Sequence, residues 1–271
     1  MYRKQNLHTH TAFCDGMDTP EELVKEAIAR GFDSLGFSAH SYVDCKATGL
    51  ITLEELRQYN EEVSHLKEKY RGVIDIYRGI EYDLYSDQDY AGYEYTIASI
   101  HYLKTTLGRR CIDFTMEDTD DLIRECYGGD AMKYAKAYYE ALSSIGDVGK
   151  FDILGHMDIV TKYNEGSRLF DTSSKEYRNY AISAIDALVG KIPIFEVNTG
   201  VVARGYKSEP YPSLDLMREL YRRGFKVAIT SDCHNKNQLD FYFDKASQML
   251  KEAGFKSKVQ LTPTGFVEVE L

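Results

Sequence analysis

Six of the seven histidines in this 271-residue sequence fall where short apolar runs end. His8 and His10 close the first such run, and His40, His101, His156 and His234 sit at or just past the ends of four others. Only His65 lies within a helical stretch, where a solvated side chain accounts for it. In an extended chain, residues two apart point the same way, so the imidazoles of His8-Thr9-His10 can reach one ion together. Such a pair is a weak signal by itself; its company gives it weight. Asp15 follows in the next loop, and Glu81 ends the run Ile74-Asp75-Ile76-Tyr77-Arg78-Gly79-Ile80. Asp232-Cys233-His234 closes Val227-Ala228-Ile229-Thr230-Ser231, again with two donors on one side and Cys233 turned away.

The expected set is therefore His8, His10, Asp15, His40, Glu81, His101, His156, Asp232 and His234. Nitrogen and oxygen donors without thiolate suit zinc, manganese or iron, whereas magnesium alone would take fewer imidazoles. Nine donors exceed what one ion needs, so two to three divalent ions are expected, with Glu81 as the natural bridge. Buried, hydrogen-bonded polar residues would explain any one of these positions, but not all nine at matching places. Clustered ions acidify a bridging water to hydroxide near neutral pH and neutralise charge on a phosphoryl group during displacement. A guanidinium would add a bidentate clamp. Arg204, in the loop after Ile192–Val197, is the first candidate; Lys207 and Arg168 are weaker ones.

These side chains can meet only if the elements carrying them share an end. Short apolar runs alternate with longer segments of helical period, the pattern of a mostly parallel sheet with right-handed crossovers. Strands are expected at Asn6–His8, Ser34–Ser38, Ile74–Ile80, Tyr95–Ile100, Ile153–Gly155, Ile192–Val197 and Lys226–Thr230, with a final pairing element in Gly265–Glu270. Helices are expected at Ala131–Ile145, Lys175–Val189, Ser213–Arg223 and Gln238–Ala253. Two more open on capping boxes: Thr19 with Glu22 and Pro20, ending at Gly31, and Thr52 with Glu55, ending before Gly72. About seven or eight such units favour a closed barrel, whose active site occupies the face formed by the C-terminal strand ends. The acidic stretch Cys111–Gly129 reads as a loop that caps the barrel or folds over a substrate.

Bulk properties narrow the function further. Hydrophobic residues make up 43% and charged residues 28%, ordinary values for a globular chain. No apolar run approaches the roughly 18 residues that span a bilayer, and no signal-like segment precedes His8, so a cytoplasmic location without membrane contact is expected. A net charge of −10 disfavours nucleic acid and requires any phosphate site to be locally positive. Five scattered cysteines (Cys14, Cys45, Cys111, Cys126, Cys233) contain no CxxC pair and read as free thiols.

Taken in order, the motifs resemble those of the PHP (polymerase and histidinol phosphatase) superfamily. Leu7-His8-Thr9-His10 with Asp15-Gly16 is similar to the opening motif, and Gly36-Phe37-Ser38-Ala39-His40 to the second. Gly79-Ile80-Glu81, Ser99-Ile100-His101, Gly155-His156-Met157-Asp158 and Ser231-Asp232-Cys233-His234 follow in sequence. The resemblance covers nearly the whole chain, 1–271, and implies one domain, a distorted (β/α)7 barrel of TIM-like α/β class, and a trinuclear metal centre. It would place one ion on His8, His10, Glu81 and Asp232, a second on Glu81, His101 and His156, and a third on Asp15, His40 and His234.

Ala98-Ser99-Ile100-His101-Tyr102-Leu103, and Glu196-Val197-Asn198-Thr199 followed by Arg204 and Pro210-Tyr211-Pro212-Ser213, look most like the subgroup that removes phosphate from L-histidinol phosphate in histidine biosynthesis. For that small-molecule ester the resemblance implies attack by a metal-bridging hydroxide, with Asp232, His234 and Arg204 in the catalytic group. Arg204 and Lys207 would hold phosphate, and Asp83 and Asp44 the cationic part of the substrate. The rival readings are a phosphoesterase of the same superfamily acting on a nucleotide, a nucleic-acid 3′ end or phosphotyrosine, and a non-catalytic metal-binding module.

Overall fold

Seven short parallel strands, buried on both faces, form the frame: β1 (Gln5–Asn6), β2 (Ser34–His40), β3 (Asp75–Asp83), β4 (Tyr95–Ser99), β7 (Ile153–Leu154), β8 (Ile194–Asn198) and β9 (Lys226–Thr230). The computed structural model describes residues 4–44 and 51–271. Met1–Arg3, read above for signal character, and Cys45 lie outside the described residues. The strands neighbour one another in the order β1-β2-β3-β4-β7-β8-β9. Beyond β1 and β9 a parallel bridge pairs Thr9 with Cys233, where His10 N–H donates to the Cys233 carbonyl at 2.8 Å and Cys233 N–H to the His8 carbonyl at 3.0 Å. The barrel is thus nearly closed, and its seam runs through the two histidine motifs.

The outer layer is helical: α1 (Pro20–Ala29), α2 (Leu53–Lys69), α3 (Met116–Tyr127), α4 (Ala131–Val148), α5 (Lys175–Leu188), the single turn α6 (Gly200–Ala203), α7 (Leu214–Arg222) and α8 (Phe243–Ala253). Both expected capping boxes form. Such caps are each worth about 1 kcal/mol, and Gly31 adopts the left-handed conformation (φ 71°) that stops α1. Leu23, Val24 and Ala27 of α1 and Leu56, Tyr59, Val63 and Leu66 of α2 pack over Leu35, Phe37 and Ala39 of β2. A larger cluster joins α4, α5, α7 and α8 to the far side of the barrel.

The barrel interior is filled rather than open. Leu7, Tyr77, Tyr95, Ile97, Ile153, Ile194 and Ala228 form its apolar floor. Tyr95 crosses the lumen, its hydroxyl 2.6 Å from the Leu7 carbonyl and 2.9 Å from that of Phe37. Gly79 makes room for this ring: a Cβ there would lie 2.3 Å from Tyr95 Cζ.

Two antiparallel hairpins stand outside the barrel. β10 (Ser257–Thr262) and β11 (Gly265–Glu270) pair with each other, so the expected last element joins its own partner and not the parallel sheet. Val259 and Leu261 of β10 seal the floor, and the Gln5 side chain exchanges two 2.8 Å hydrogen bonds with the Leu261 backbone. The second hairpin, β5 (Tyr102–Thr105) with β6 (Gly108–Cys111), and helix α3 replace much of the expected loop Cys111–Gly129. Thr115 caps α3 and left-handed Gly128 ends it, while only Thr119, Leu122 and Ile123 are buried. That narrow stripe, among acids, hides the helix from a reading of periodicity.

Candidate metal centre

His40 ends β2, Glu81 lies near the end of β3, and His8 and His10 follow β1. His101 and His156 lie just past β4 and β7, and Asp232 and His234 just past β9. The strand ends thereby bring all nine expected donors into one cluster above the apolar floor. Glu81 is its hub, since five imidazoles surround one carboxylate. Oε2 lies 3.4 Å from His8 Nε2, 3.4 Å from His10 Nε2 and 3.0 Å from His40 Nδ1, while Oε1 lies 2.8 Å from His156 Nε2 and 3.2 Å from His101 Nε2. Asp232 Oδ1 approaches His10 Nε2 at 3.2 Å and His8 Nε2 at 3.5 Å. At the open edge, Asp15 lies 3.1 Å from His234 Nε2, 3.3 Å from His10 Nδ1 and 3.4 Å from His40 Nε2.

Groups behind the imidazoles aim these rings. Glu196 Oε2 holds His8 Nδ1 at 2.8 Å, and its Oε1 accepts the His156 N–H at 2.7 Å. His234 Nδ1 and Arg204 Nη1 both donate to the Asp232 carbonyl at 2.8 Å. With the rear nitrogen of His8 and of His234 so held, the front nitrogen of each of these two rings faces the cluster. There it meets other acceptors: His8 Nε2 lies 3.1 Å from His10 Nε2, and His234 Nε2 faces a carboxylate oxygen. Glu81 Oε2 is buried without a properly directed hydrogen bond. Lone pairs turned towards one another in a buried space need cations between them, so the donor set fits divalent metal ions.

Protonation in the metal-free chain follows the same logic. Burial favours neutral His8, but Glu196, Glu81 and Asp232 outweigh it and raise its pKa well above the usual value. His40 and His101 are raised likewise, against burial, by Asp15 with Glu81 and by Glu81 with Asp83 respectively. His10 goes the other way: burial, together with His234 and His40, lowers it to about 4. Burial also opposes ionisation of Glu81 and Asp232, yet both stay well below the usual carboxylate range beside His101 and Arg204. Burial pushes the Cys14 and Cys233 thiols up to about 11 and about 12, which keeps both from acting as thiolates. Cys233 turns its sulfur to the Asn235 carbonyl, away from the cluster.

Four donor groups can each surround a point: His10 with Asp15, His40 and His234; His8 with Glu81 and His156; His8 and His10 with Asp232; and His40 with Glu81 and His101. Together these overlapping groups contain all nine expected donors. His10 reaches across to the Asp15 group, and His40 also serves Glu81, because the rings of His10 and His40 lie only 4.4 Å apart.

A cavity of about 240 Å³ opens onto the cluster. Arg204 lines it at the end of α6, its Nη2 donating to Asp232 Oδ2 at 2.9 Å. Gly200 permits that approach, since a Cβ there would meet the Ser231 carbonyl at 2.6 Å and Arg204 Nη1 at 2.9 Å. Three expected substrate residues lie elsewhere. Asp83 is buried behind His101, accepting its main-chain N–H at 2.8 Å with the ring Nδ1 3.5 Å away, and so positions that residue rather than facing the cavity. Asp44 is exposed outside the cavity wall, its carbonyl accepting from Arg109. Lys207 donates to Thr161 Oγ1 at 2.7 Å in a neighbouring pocket. Arg168 pairs with Asp120, also away from the cluster.

Residues not singled out for chemistry complete the site. Glu196 lies on β8 between apolar neighbours, and an acid inside a buried parallel strand must be paired, which was its available signal. Cys111, Asp113, Phe114, Lys162, Tyr206 and Tyr211 form the wall opposite the imidazoles. They come from segments with no strand-end signature.

A parallel α/β barrel with an imidazole–carboxylate cluster at its C-terminal mouth has the architecture of a barrel metalloenzyme. The PHP domain model matches residues 6–200, and the chain belongs to that family. It is similar to the histidinol-phosphatase of Bacillus subtilis, with 25% identity over 89% of this chain and 97% of that protein. It is equally similar, at 25% identity, to the histidinol-phosphatase of Lactococcus lactis, over 93% of this chain and 92% of the relative. A Lactococcus lactis histidinol phosphate phosphatase structure complexed with zinc, L-histidinol and phosphate shares the fold, with TM-score 0.73 and 21% identity over 98% of this chain and 99% of that one.

Proposed function

We propose that this chain is a metal-dependent phosphomonoesterase that hydrolyses L-histidinol phosphate to L-histidinol and phosphate, as a single domain acting in the cytoplasm. The observation that carries the phosphoesterase reading is the convergence of six imidazoles on Glu81, Asp15 and Asp232 in a cavity that also contains the Arg204 guanidinium. The substrate rests on the activity for which the full-length relatives are named. Among the described residues no helix is long and apolar enough to cross a membrane, in keeping with a site of action in amino-acid biosynthesis.

His8, His10, Asp15, His40, Glu81, His101, His156, Asp232 and His234 would hold two to three divalent ions, with zinc, manganese and iron all suited to the donors. Bound there, the ions would supply an activated water and charge neutralisation at the phosphoryl group. The protein's own groups do the rest. Asp232 fixes Arg204 through its carbonyl and carboxylate, leaving further guanidinium N–H groups to bind phosphate oxygens. His234, with Nδ1 tied to the Asp232 carbonyl, keeps Nε2 beside Asp15 at the cavity edge as a metal donor. Glu196 holds the ring of His8, and Asp83 holds the main chain of His101, in place.

Steady-state phosphate release from L-histidinol phosphate, by protein loaded with zinc or manganese, tests this directly. A kcat/KM of about 10⁴ M⁻¹s⁻¹ or more is expected, the ordinary range for a natural substrate. Failure to hydrolyse it with metal bound, alongside turnover of a chromogenic phosphomonoester, would keep the chemistry and reject the substrate. Metal-loaded protein inert towards every phosphomonoester would reject both.

A further inference from the structure

We propose that a second pocket, separate from the metal centre, binds a small free α-amino acid, its ammonium held by Asp158 and its carboxylate by Lys207. Neither residue belongs to the metal cluster or lines the cavity above it. The second pocket shares no lining residue with that cavity. It lies between the segment after β7, which carries Asp158, and the segment joining α6 to α7, which carries Lys207. Its volume of about 200 Å³ has room for several waters or for one small organic molecule.

Asp158 is 1% exposed, and its two carboxylate oxygens fare differently. Oδ2 accepts the Ser213 N–H at 3.1 Å, at the start of α7, whereas Oδ1 is buried without a hydrogen-bond partner. Buried acceptors are nearly always satisfied, and a charged one left alone is costly. Lys207 does not supply the missing donor. Its Nζ donates to Thr161 Oγ1 at 2.7 Å, and that hydroxyl donates in turn to the Asp158 main-chain carbonyl at 2.8 Å. The lysine is thus tied to the backbone of the turn that carries Asp158 and not to its carboxylate. An ammonium has three N–H groups, so Lys207 keeps donors for an anion.

Two opposite charges therefore line one small pocket with a hydroxyl set between them, and that arrangement selects the ligand. A simple cation would satisfy Asp158 but lie beside an ammonium, and a simple anion would satisfy Lys207 but lie beside a carboxylate. A molecule carrying both charges on neighbouring carbons satisfies both at once. The pocket's other acids do not compete for it. Glu165 accepts the N–H and the hydroxyl of Ser208 at 3.2 and 2.6 Å, and Glu209 is exposed. Thr172 and Ser213 make the remaining wall polar, which suits a side chain as small as that of glycine or serine.

Calorimetric titration of the metal-loaded protein with glycine and L-serine tests this. Ethanolamine, which lacks the carboxylate, and 3-hydroxypropanoate, which lacks the amine, serve as comparators. At least one of the two amino acids should bind, and each comparator should bind about tenfold or more weakly, the factor a charge-assisted hydrogen bond supplies. Lys207→Met, a change at a half-buried side chain, should bring the amino acid down to the level of ethanolamine. Asp158→Asn should weaken the amino acid and ethanolamine alike. Wild-type protein that binds neither amino acid overturns the proposal, the pocket then holding water only, and this result needs no variant to fold. Binding that Lys207→Met leaves unchanged overturns it as well, since an amino acid held by the metal ions would be indifferent to that substitution. Comparators that bind as tightly as the amino acid would likewise reject the pairing of the two charges.

Discussion

The two mouths of the barrel are built by the same seven strands and could hardly differ more. At the N-terminal mouth, Val259, Leu261 and partly buried Phe266 close on Leu7, Tyr77 and Ile194, and Gln5 is satisfied by the Leu261 backbone. At the C-terminal mouth, carboxylates and imidazoles crowd together with acceptors turned on acceptors. The lower end is a packed core that stabilises the fold. The upper end contains carboxylates and imidazoles that, without metal, are held together by protons on His8, His40 and His101, the places that cations would take. Tyr95 separates the two, filling the lumen with a ring whose hydroxyl reaches the carbonyls of both β2 and the segment after β1.

Substitutions should therefore divide cleanly by end. The largest effect is expected for Asp232→Asn, which retains the side-chain shape and suits the left-handed backbone at this position (φ 44°). Its kcat/KM should fall by more than the roughly 10–100-fold typical of changes behind metal ligands, with the melting temperature of the metal-free chain hardly lowered. A large loss of folding stability with activity retained would erase the contrast. At the opposite mouth, Leu261→Ala should cost about 2–4 kcal/mol in a denaturant titration, while kcat per folded molecule stays near wild type.

Glu196→Gln sharpens the comparison, because its residue bridges the two regimes by holding His8 and the His156 backbone. It should weaken metal affinity roughly 10–100-fold, measured by competition with a chromophoric chelator. Unchanged affinity would mean that the ring of His8 needs no support from behind. A smaller effect concerns pH. His8, His40 and His101 have raised pKa values, so in metal-free protein their stabilising contribution is complete below the unfolded value near 6.5 and is lost as pH rises through the folded values. His10, depressed to about 4, acts only below that window. The melting temperature of the metal-free protein should accordingly decline on going from pH 6.5 to 9, and saturating metal should flatten the decline. A rising or flat curve without metal would contradict this assignment of protons.

The upper mouth was largely legible in the amino-acid sequence, and the reason is geometrical. Period-two spacing in His8-Thr9-His10 and Asp232-Cys233-His234 puts two donors on one side of a strand end, and the other donors at matching strand ends give that spacing its meaning. The partition among donor groups was not legible, because it depends on how closely the His10 and His40 rings approach across neighbouring strands. Nor was the far wall of the cavity. Asp113 lies between β6 and α3, where the burial stripe is too narrow to betray a helix, and Asp83 and Asp44 drew attention only by sequence proximity to the motifs. The floor was half visible: Gly265–Glu270 showed as a strand, but its partner β10 and its place beneath the barrel depend on contacts with Gln5, more than 250 residues away.

The seam that joins Thr9 to Cys233 has a consequence for the order of synthesis. His8 and His10 leave the ribosome first, and Asp232 and His234 only after the intervening strands have been made. Until then His8 and His10 lack the strand end that closes over them. A nascent chain therefore cannot assemble the full centre from its early motifs, and tight metal capture is deferred to the moment the barrel shuts.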